Sequence, residues 1–150
     1  MGVTFTDLDH FIEDRLGCSI RAYFEAEGES AFRDLEQDTL RELTELGTGV
    51  ISTGGGVVLR EANRTRLRET CRVVYLRATP EELIQRLRHD QKRPLLQVAD
   101  PLGRLRLLDE ERGPLYRETA HVTVDTGRGR LQGVVEEVLK RVWVRPASRP

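Results

Sequence analysis

The apolar positions of this 150-residue chain alternate between short β-branched runs and stretches with helical spacing. Residues 3–6 are β-prone, and Leu8, Phe11, Ile12 and Leu16 then recur at three- and four-residue steps, which predicts an amphipathic helix closed by Gly17. Ser19 is placed to cap a short helix carrying Ile20, Tyr23 and Phe24, which Gly28 breaks. From residue 29 to 46, Phe32, Leu35, Leu40, Leu43 and Leu46 form one stripe of a longer helix that Gly47 and Gly49 end. Residues 50–52 are a brief β run leading straight into Thr53-Gly54-Gly55-Gly56, and residues 73–76 are a second buried-strand candidate. Thr79-Pro80-Glu81-Glu82 joins an N-cap, a first-turn proline and a capping-box acid, which predicts a helix to about Arg88. A loop is expected over residues 89–99, then a helix from Asp100-Pro101 through Leu105 and Leu108 to about Arg112. Residues 122–124 are a third strand candidate. Val134, Val135, Val138, Leu139 and Val142 give a last helix its buried face, and residues 144–150 read as a frayed tail.

Strands alternating with helices imply parallel strands joined by crossover helices, an α/β layer fold. There is no repeat and no linker, so residues 1–143 read as one domain. Apolar runs of four or five residues are far short of the roughly 20 that span a bilayer, and no signal peptide precedes the acidic Asp7-Leu8-Asp9. Cys18 and Cys71 lie far apart and form no metal or disulfide pattern, which fits a reducing cytoplasm. His10, His89 and His121 show no ligand spacing.

Charge changes the picture in two ways. The 24 Lys+Arg and 25 Asp+Glu leave a net charge of −1 with no basic run, which argues against a nucleic-acid partner. Only Lys92 and Lys140 are lysines; the other 22 of the 24 are arginines. Neither lysine follows a glycine or precedes Ser or Thr, so these residues contain no P-loop of the Gly-Lys-Ser/Thr type. Any phosphate handled by these residues must be met without that lysine.

Four features have the composition of a site, each with a purely structural alternative. Asp7-x-Asp9 stands where a strand hands over to a helix, the end of a parallel sheet where ligands bind. Two such carboxylates suit a hydroxyl acceptor and Mg²⁺ held through water, or either is no more than a helix N-cap. The triple glycine exposes backbone N–H groups to close approach, or is simply a turn. Arg33, next to the core residue Phe32, can grip a carboxylate with both arms of its guanidinium, or pair with surface acids. Arg86 and Arg93, with Arg112 beyond the next helix, can clamp phosphates and an anionic substrate, or form a solvated face.

In this order the motifs resemble the shikimate kinase family. Phe5-Thr6-Asp7-Leu8-Asp9-His10 with Ile12-Glu13 is similar to its strand-end aspartate motif. Phe24-Glu25, Glu27-Gly28-Glu29 and Phe32-Arg33 with Glu36 are similar to its shikimate-binding helices, and Ser52-Thr53-Gly54-Gly55-Gly56-Val57-Val58 to its triple-glycine segment. Arg93-Pro94-Leu95-Leu96 is similar to the lid, Glu111-Arg112 with Pro114-Leu115-Tyr116 to the segment after it, and Val124-Asp125-Thr126 to the final strand.

The resemblance implies a P-loop kinase-like, nucleoside-monophosphate-kinase-type fold of three layers around a parallel sheet. It implies transfer of the γ-phosphoryl group of ATP to the 3-hydroxyl of shikimate, in the chorismate pathway of aromatic amino-acid biosynthesis. On this basis Asp9 is the catalytic residue and binds substrate with Arg33, Gly55 and Arg112. Arg93, Arg86 and Arg128 are the ATP-binding residues, the last with a register spread over residues 128–130. Asp7 belongs to the outer shell of Mg²⁺. Shikimate and ATP are the expected partners, in a cytoplasmic monomer. The family's first strand, Walker A loop and first helix have no counterpart in these residues, so an inactive or impaired, truncated kinase with a gap in mid-sheet is expected. A non-catalytic shikimate-binding regulatory module and a related small-molecule kinase, such as a gluconate kinase, are the alternatives.

Overall fold

The computed structural model describes residues 3–47, 49–87, 99–127 and 130–142. The expected frayed tail, most of the loop at 89–99, and the sites assigned to Arg93 and Arg128 lie outside them. The chain divides into two compact units, residues 1–71 and 72–150.

In the first unit, strand β1 (Phe5–Asp7) passes directly into helix α1 (Leu8–Leu16), followed by α2 (Ile20–Glu27) and α3 (Glu29–Glu45). Strand β2 (Val50–Ser52) pairs with β1 in parallel, Phe5 opposite Val50 and Asp7 opposite Ser52. A 3₁₀ turn (Gly55–Leu59) and helix α4 (Glu61–Thr70) complete the unit. The punctuation is what the sequence predicts: Gly17 closes α1 at φ 70°, where a side chain would be strained. The Ser19 hydroxyl accepts from the Ala22 N–H at 3.1 Å to start α2.

The core of this unit is the apolar face of α1 and α3 against the turn and α4: Leu8, Ile12, Phe32, Leu40, Leu43, Val57, Val58 and Leu67 are buried. At the rim, Arg15 reaches both carboxylate oxygens of Glu42 at 2.5 Å and lies over the Phe11 ring, clasping α1 to α3. Leu46 departs from the expected stripe. It stands at the C-cap of α3, past the helix end at Glu45, and is 71% exposed.

In the second unit, β3 (Val74–Arg77) and β4 (Val122–Asp125) pair in parallel, Leu76 opposite Val124. Between them run α5 (Pro80–Leu87) and α6 (Pro101–Thr119), and α7 (Leu131–Val142) follows. The capping box forms as expected: the Glu82 N–H donates to Thr79 Oγ1 at 3.1 Å and the Thr79 N–H to Glu82 Oε2 at 3.0 Å.

Helix α6 does not stop near Arg112; it continues through Pro114 for another turn and more. A residue before proline normally avoids helical angles because its Cβ meets the proline ring. That residue here is the buried Gly113, which has no Cβ. Helix α4 also goes beyond the sequence reading. Its only buried side chains are Asn63 and Leu67 amid charged neighbours, a pattern without an apolar period.

The described strands thus form two parallel pairs, each within one unit, connected by helices. No described helix is long and apolar enough to cross a membrane. Leu40 is fully buried at the centre of the first core. Leu40→Ala is expected to remove about 3 kcal/mol of stability, read as a lower urea midpoint at unchanged slope.

Candidate functional site

The β1/β2 register sets the site's first contact. Asp7 and Ser52 are opposite one another at the ends of their strands. Ser52 Oγ donates to Asp7 Oδ2 at 3.0 Å, while Asp7 Oδ1 caps α1 by accepting the His10 N–H at 3.1 Å. The capping alternative is therefore correct for Asp7, but a second oxygen also serves the strand end. The His10 N–H foremost, with Ser52 helping, holds the Asp7 carboxyl below its ordinary pKa of 3.8, so it stays ionised.

Asp9, two residues on, is the opposite case. Burial pushes its pKa above 3.8, the charges of Asp7 and Glu13 add to this, and Arg33 and His10 oppose it. Its carboxylate packs so close to Gly54 that a Cβ there would lie 3.1 Å from Oδ2. A partly desolvated carboxylate with a raised proton affinity is a better base than one in water.

Arg33 comes from α3. Its side chain is only 13% exposed, and Nη1 donates at 2.9 Å to Oε1 of Glu36, which is buried. Glu29 stands 3.7 Å from Nε, and the guanidinium carbon lies 5.2 Å from the centre of the Phe32 ring. Nε is itself buried with no hydrogen-bond partner among the described residues. This is not the solvated pair that surface arginines form. The guanidinium also fills the space that a side chain at residue 56 would need: any Cβ on Gly56 would collide with Nη1, Nη2 and Cζ. Two of the three glycines thus have distinct steric duties, Gly54 toward Asp9 and Gly56 toward Arg33, with the exposed Gly55 between them.

In the second unit, Arg86 donates to Thr126 Oγ1 at 3.2 Å and to the Thr126 carbonyl. Thr126 is anchored in turn on the Arg77 carbonyl, through its N–H at 2.8 Å and its hydroxyl at 3.0 Å. Arg86 is therefore fixed to the loop that leaves β4. Arg112 lies half-exposed on α6. Of the residues singled out from sequence, the first unit gathers Asp7, Asp9, Arg33 and Gly55 around one turn; Arg86 and Arg112 belong to the second.

The family model for shikimate kinase matches residues 1–143 of this chain. It is 53% identical to a shikimate kinase of Paracidovorax citrulli, over 99% of this chain and 84% of that protein. The chain belongs to the shikimate kinase family. It is also 51% identical to a shikimate kinase of Thiobacillus denitrificans, over 89% of this chain and 73% of that one. Among solved structures, it is similar to a shikimate kinase from Acinetobacter baumannii in complex with shikimate. There the TM-score is 0.86 at 42% identity, covering 94% of this chain and 79% of the other. A shikimate kinase from Aquifex aeolicus gives 0.79 at 33% identity. The fold is accordingly the P-loop kinase-type α/β fold that the resemblance implied.

Sequence reasoning named Glu36 only as part of a motif and passed over its burial, which hydropathy argues against. The spacing to Arg33, three residues on one helix face, was the available signal. The two aspartates have opposite linkage to folding. Asp7, lowered, contributes stability above pH 3.8 that is lost as pH falls through its depressed value. Asp9, raised, contributes stability below pH 3.8 that is lost as pH rises through its elevated value. In ¹³C-detected titrations, Asp9 is expected to titrate above 3.8, to move down in Asp7→Asn and to move up in Arg33→Met.

Proposed function

We propose that this chain acts as a shikimate kinase, with Asp9 as the group that activates the acceptor hydroxyl. The observation that carries this reading is the convergence of a half-buried carboxylate and a largely buried guanidinium on one glycine turn, in a chain 42% identical to a solved relative described in complex with shikimate. A ring bearing a carboxylate and hydroxyls needs such a pair: a cation for the acid and an acceptor for the hydroxyl.

Asp9 orients the 3-hydroxyl of shikimate and takes its proton as the oxygen attacks the γ-phosphorus. The new P–O bond forms while the bond to the ADP oxygen breaks, so the leaving charge stays on ADP. The raised proton affinity of Asp9 suits that duty. Arg33 binds the shikimate carboxylate together with Arg112. Gly55 lends its N–H to the substrate. Arg93 meets the phosphates, Arg86 lies against the adenine with the hold of Thr126 behind it, and Arg128, or a neighbour within residues 128–130, flanks the base.

Mg²⁺ bound with ATP supplies neutralisation of the phosphate charge. The donor set at the strand ends fits an outer-shell place for that ion. Asp7 remains ionised, but both of its oxygens already serve His10 and Ser52, so it is suited to accept from a bound water. The protein works as a cytoplasmic monomer.

Calorimetry with shikimate and with gluconate tests the reading: shikimate binds and gluconate does not. Coupled ADP assays are then run on the chain as it stands and with a Gly-Lys-Ser/Thr phosphate loop joined upstream of Met1. Turnover is expected to rise with the loop, and Asp9→Asn to lower kcat by about 10²- to 10⁴-fold while shikimate still binds. Absence of shikimate binding in both forms, or undiminished turnover in Asp9→Asn, refutes the proposal.

A further inference from the structure

The glycine turn is held from behind by helix α4. A short 3₁₀ segment leaves its last carbonyls without partners of its own. In the turn Gly55–Leu59 those carbonyls are taken by α4. Asn63 Nδ2 donates to the Val57 carbonyl at 3.0 Å, and Arg64 Nη1 to the carbonyls of Val58 at 2.7 Å and Leu59 at 3.2 Å. Asn63 is 2% exposed, and its own N–H is tied to the Arg60 carbonyl at 3.1 Å. The other side of Val57 is engaged as well, since its N–H donates to the Gly54 carbonyl at 3.3 Å. A chain of two hydrogen bonds therefore runs from the Asn63 amide through Val57 to Gly54, the residue packed against Asp9. Gly56, packed against Arg33, sits inside that chain.

We infer that Asn63 is a positioning residue for the substrate site: it fixes the height of the glycine turn between the Asp9 carboxylate and the Arg33 guanidinium. The clearances make the device sensitive. Gly54 and Gly56 are in such close approach to the two charged groups that displacement of the turn must move one, the other, or both. Without its donor, the buried Val57 carbonyl has no partner in its pocket, and the turn relaxes to find one. Arg60 braces the same segment on its far side, with Nη1 donating to Asp34 at 2.5 Å and to Gln37 at 3.0 Å. Relaxation at Val57 is therefore taken up toward the glycines.

The test rests on the shikimate reading for one measurement and not for the other. Asn63→Leu keeps the branched shape and deletes the donor; Asn63→Ser, polar but too short to reach Val57, replaces it should the leucine variant not fold. Arg66→Ala is the control, because Arg66 ties α4 to α3 through Thr44 Oγ1, the Arg41 carbonyl and Glu45. Shikimate affinity is expected to fall by about tenfold or more in the Asn63 variants and to stay within about twofold in Arg66→Ala, although the melting temperature drops in both. The Arg33 Nε–H resonance, measured without ligand, is expected to shift in the Asn63 variants alone, as the turn packed against the guanidinium moves. Wild-type affinity and an unchanged Arg33 resonance in both Asn63 variants would overturn the inference, as would equal losses in Arg66→Ala. A wild-type chain that binds no shikimate refutes the functional reading, and the Arg33 resonance then still decides the role of Asn63.

Discussion

Everything at the site depends on a guanidinium lodged where a side chain would otherwise be. Arg33 is nearly buried, and a buried cation is tolerated only when paired and enclosed by acceptors. Glu36 provides the charge from one turn further along the same helix, and the Phe32 ring provides a face. The remaining side is backbone, and it can come that close only because residue 56 is glycine. The pair has little value as a stabilising contact, since two charges have left water to make it. What it fixes is position: the cation is desolvated, aimed and unable to swing away.

The aspartates on the other side of the turn divide their labour through local structure alone. Asp7 is at the strand end, its oxygens satisfied by a helix N–H and a cross-strand hydroxyl, so its charge is stabilised. Asp9 is one helical step deeper, against backbone, so its charge is penalised. Two carboxylates separated by a single residue thereby acquire opposite proton affinities. The parallel register matters here, because the pairing that sets Ser52 beside Asp7 also delivers the chain into the glycine turn.

Elements with an apolar face or capping chemistry were legible in the sequence: α1, α3, the Ser19 cap and the Thr79/Glu82 box follow directly from periodicity and side-chain type. Helix α4 was not, because it is held by one leucine and a polar tether, and periodicity sees only oil. Nor was the length of α6, since Pro114 is a stop signal until Gly113 is recognised as lifting the clash. At the site, Asp9, Arg33 and the glycines could be named from motif order. What could not be read was depth. The burial of Glu36, the matching of each glycine to a particular charged neighbour, and the grip of Asn63 on Val57 are properties of packing between segments far apart in sequence.

The arginine excess has a further meaning in the folded chain. Arg60, Arg64, Arg66, Arg86 and Arg141 each donate to a backbone carbonyl outside their own turn, at Ser30, Val58, Arg41, Thr126 and Thr123. A flat, forked donor can cap a carbonyl and keep an arm for a second acceptor, which a lysine ammonium does less well. Guanidinium groups thus act as rivets between segments of the chain. The chain is correspondingly lopsided toward chemical attack. Amine-directed reagents have two lysines to find among these residues, whereas an arginine-directed dicarbonyl that reaches these groups cuts the tethers between segments, so modification and loosening of the fold become one event.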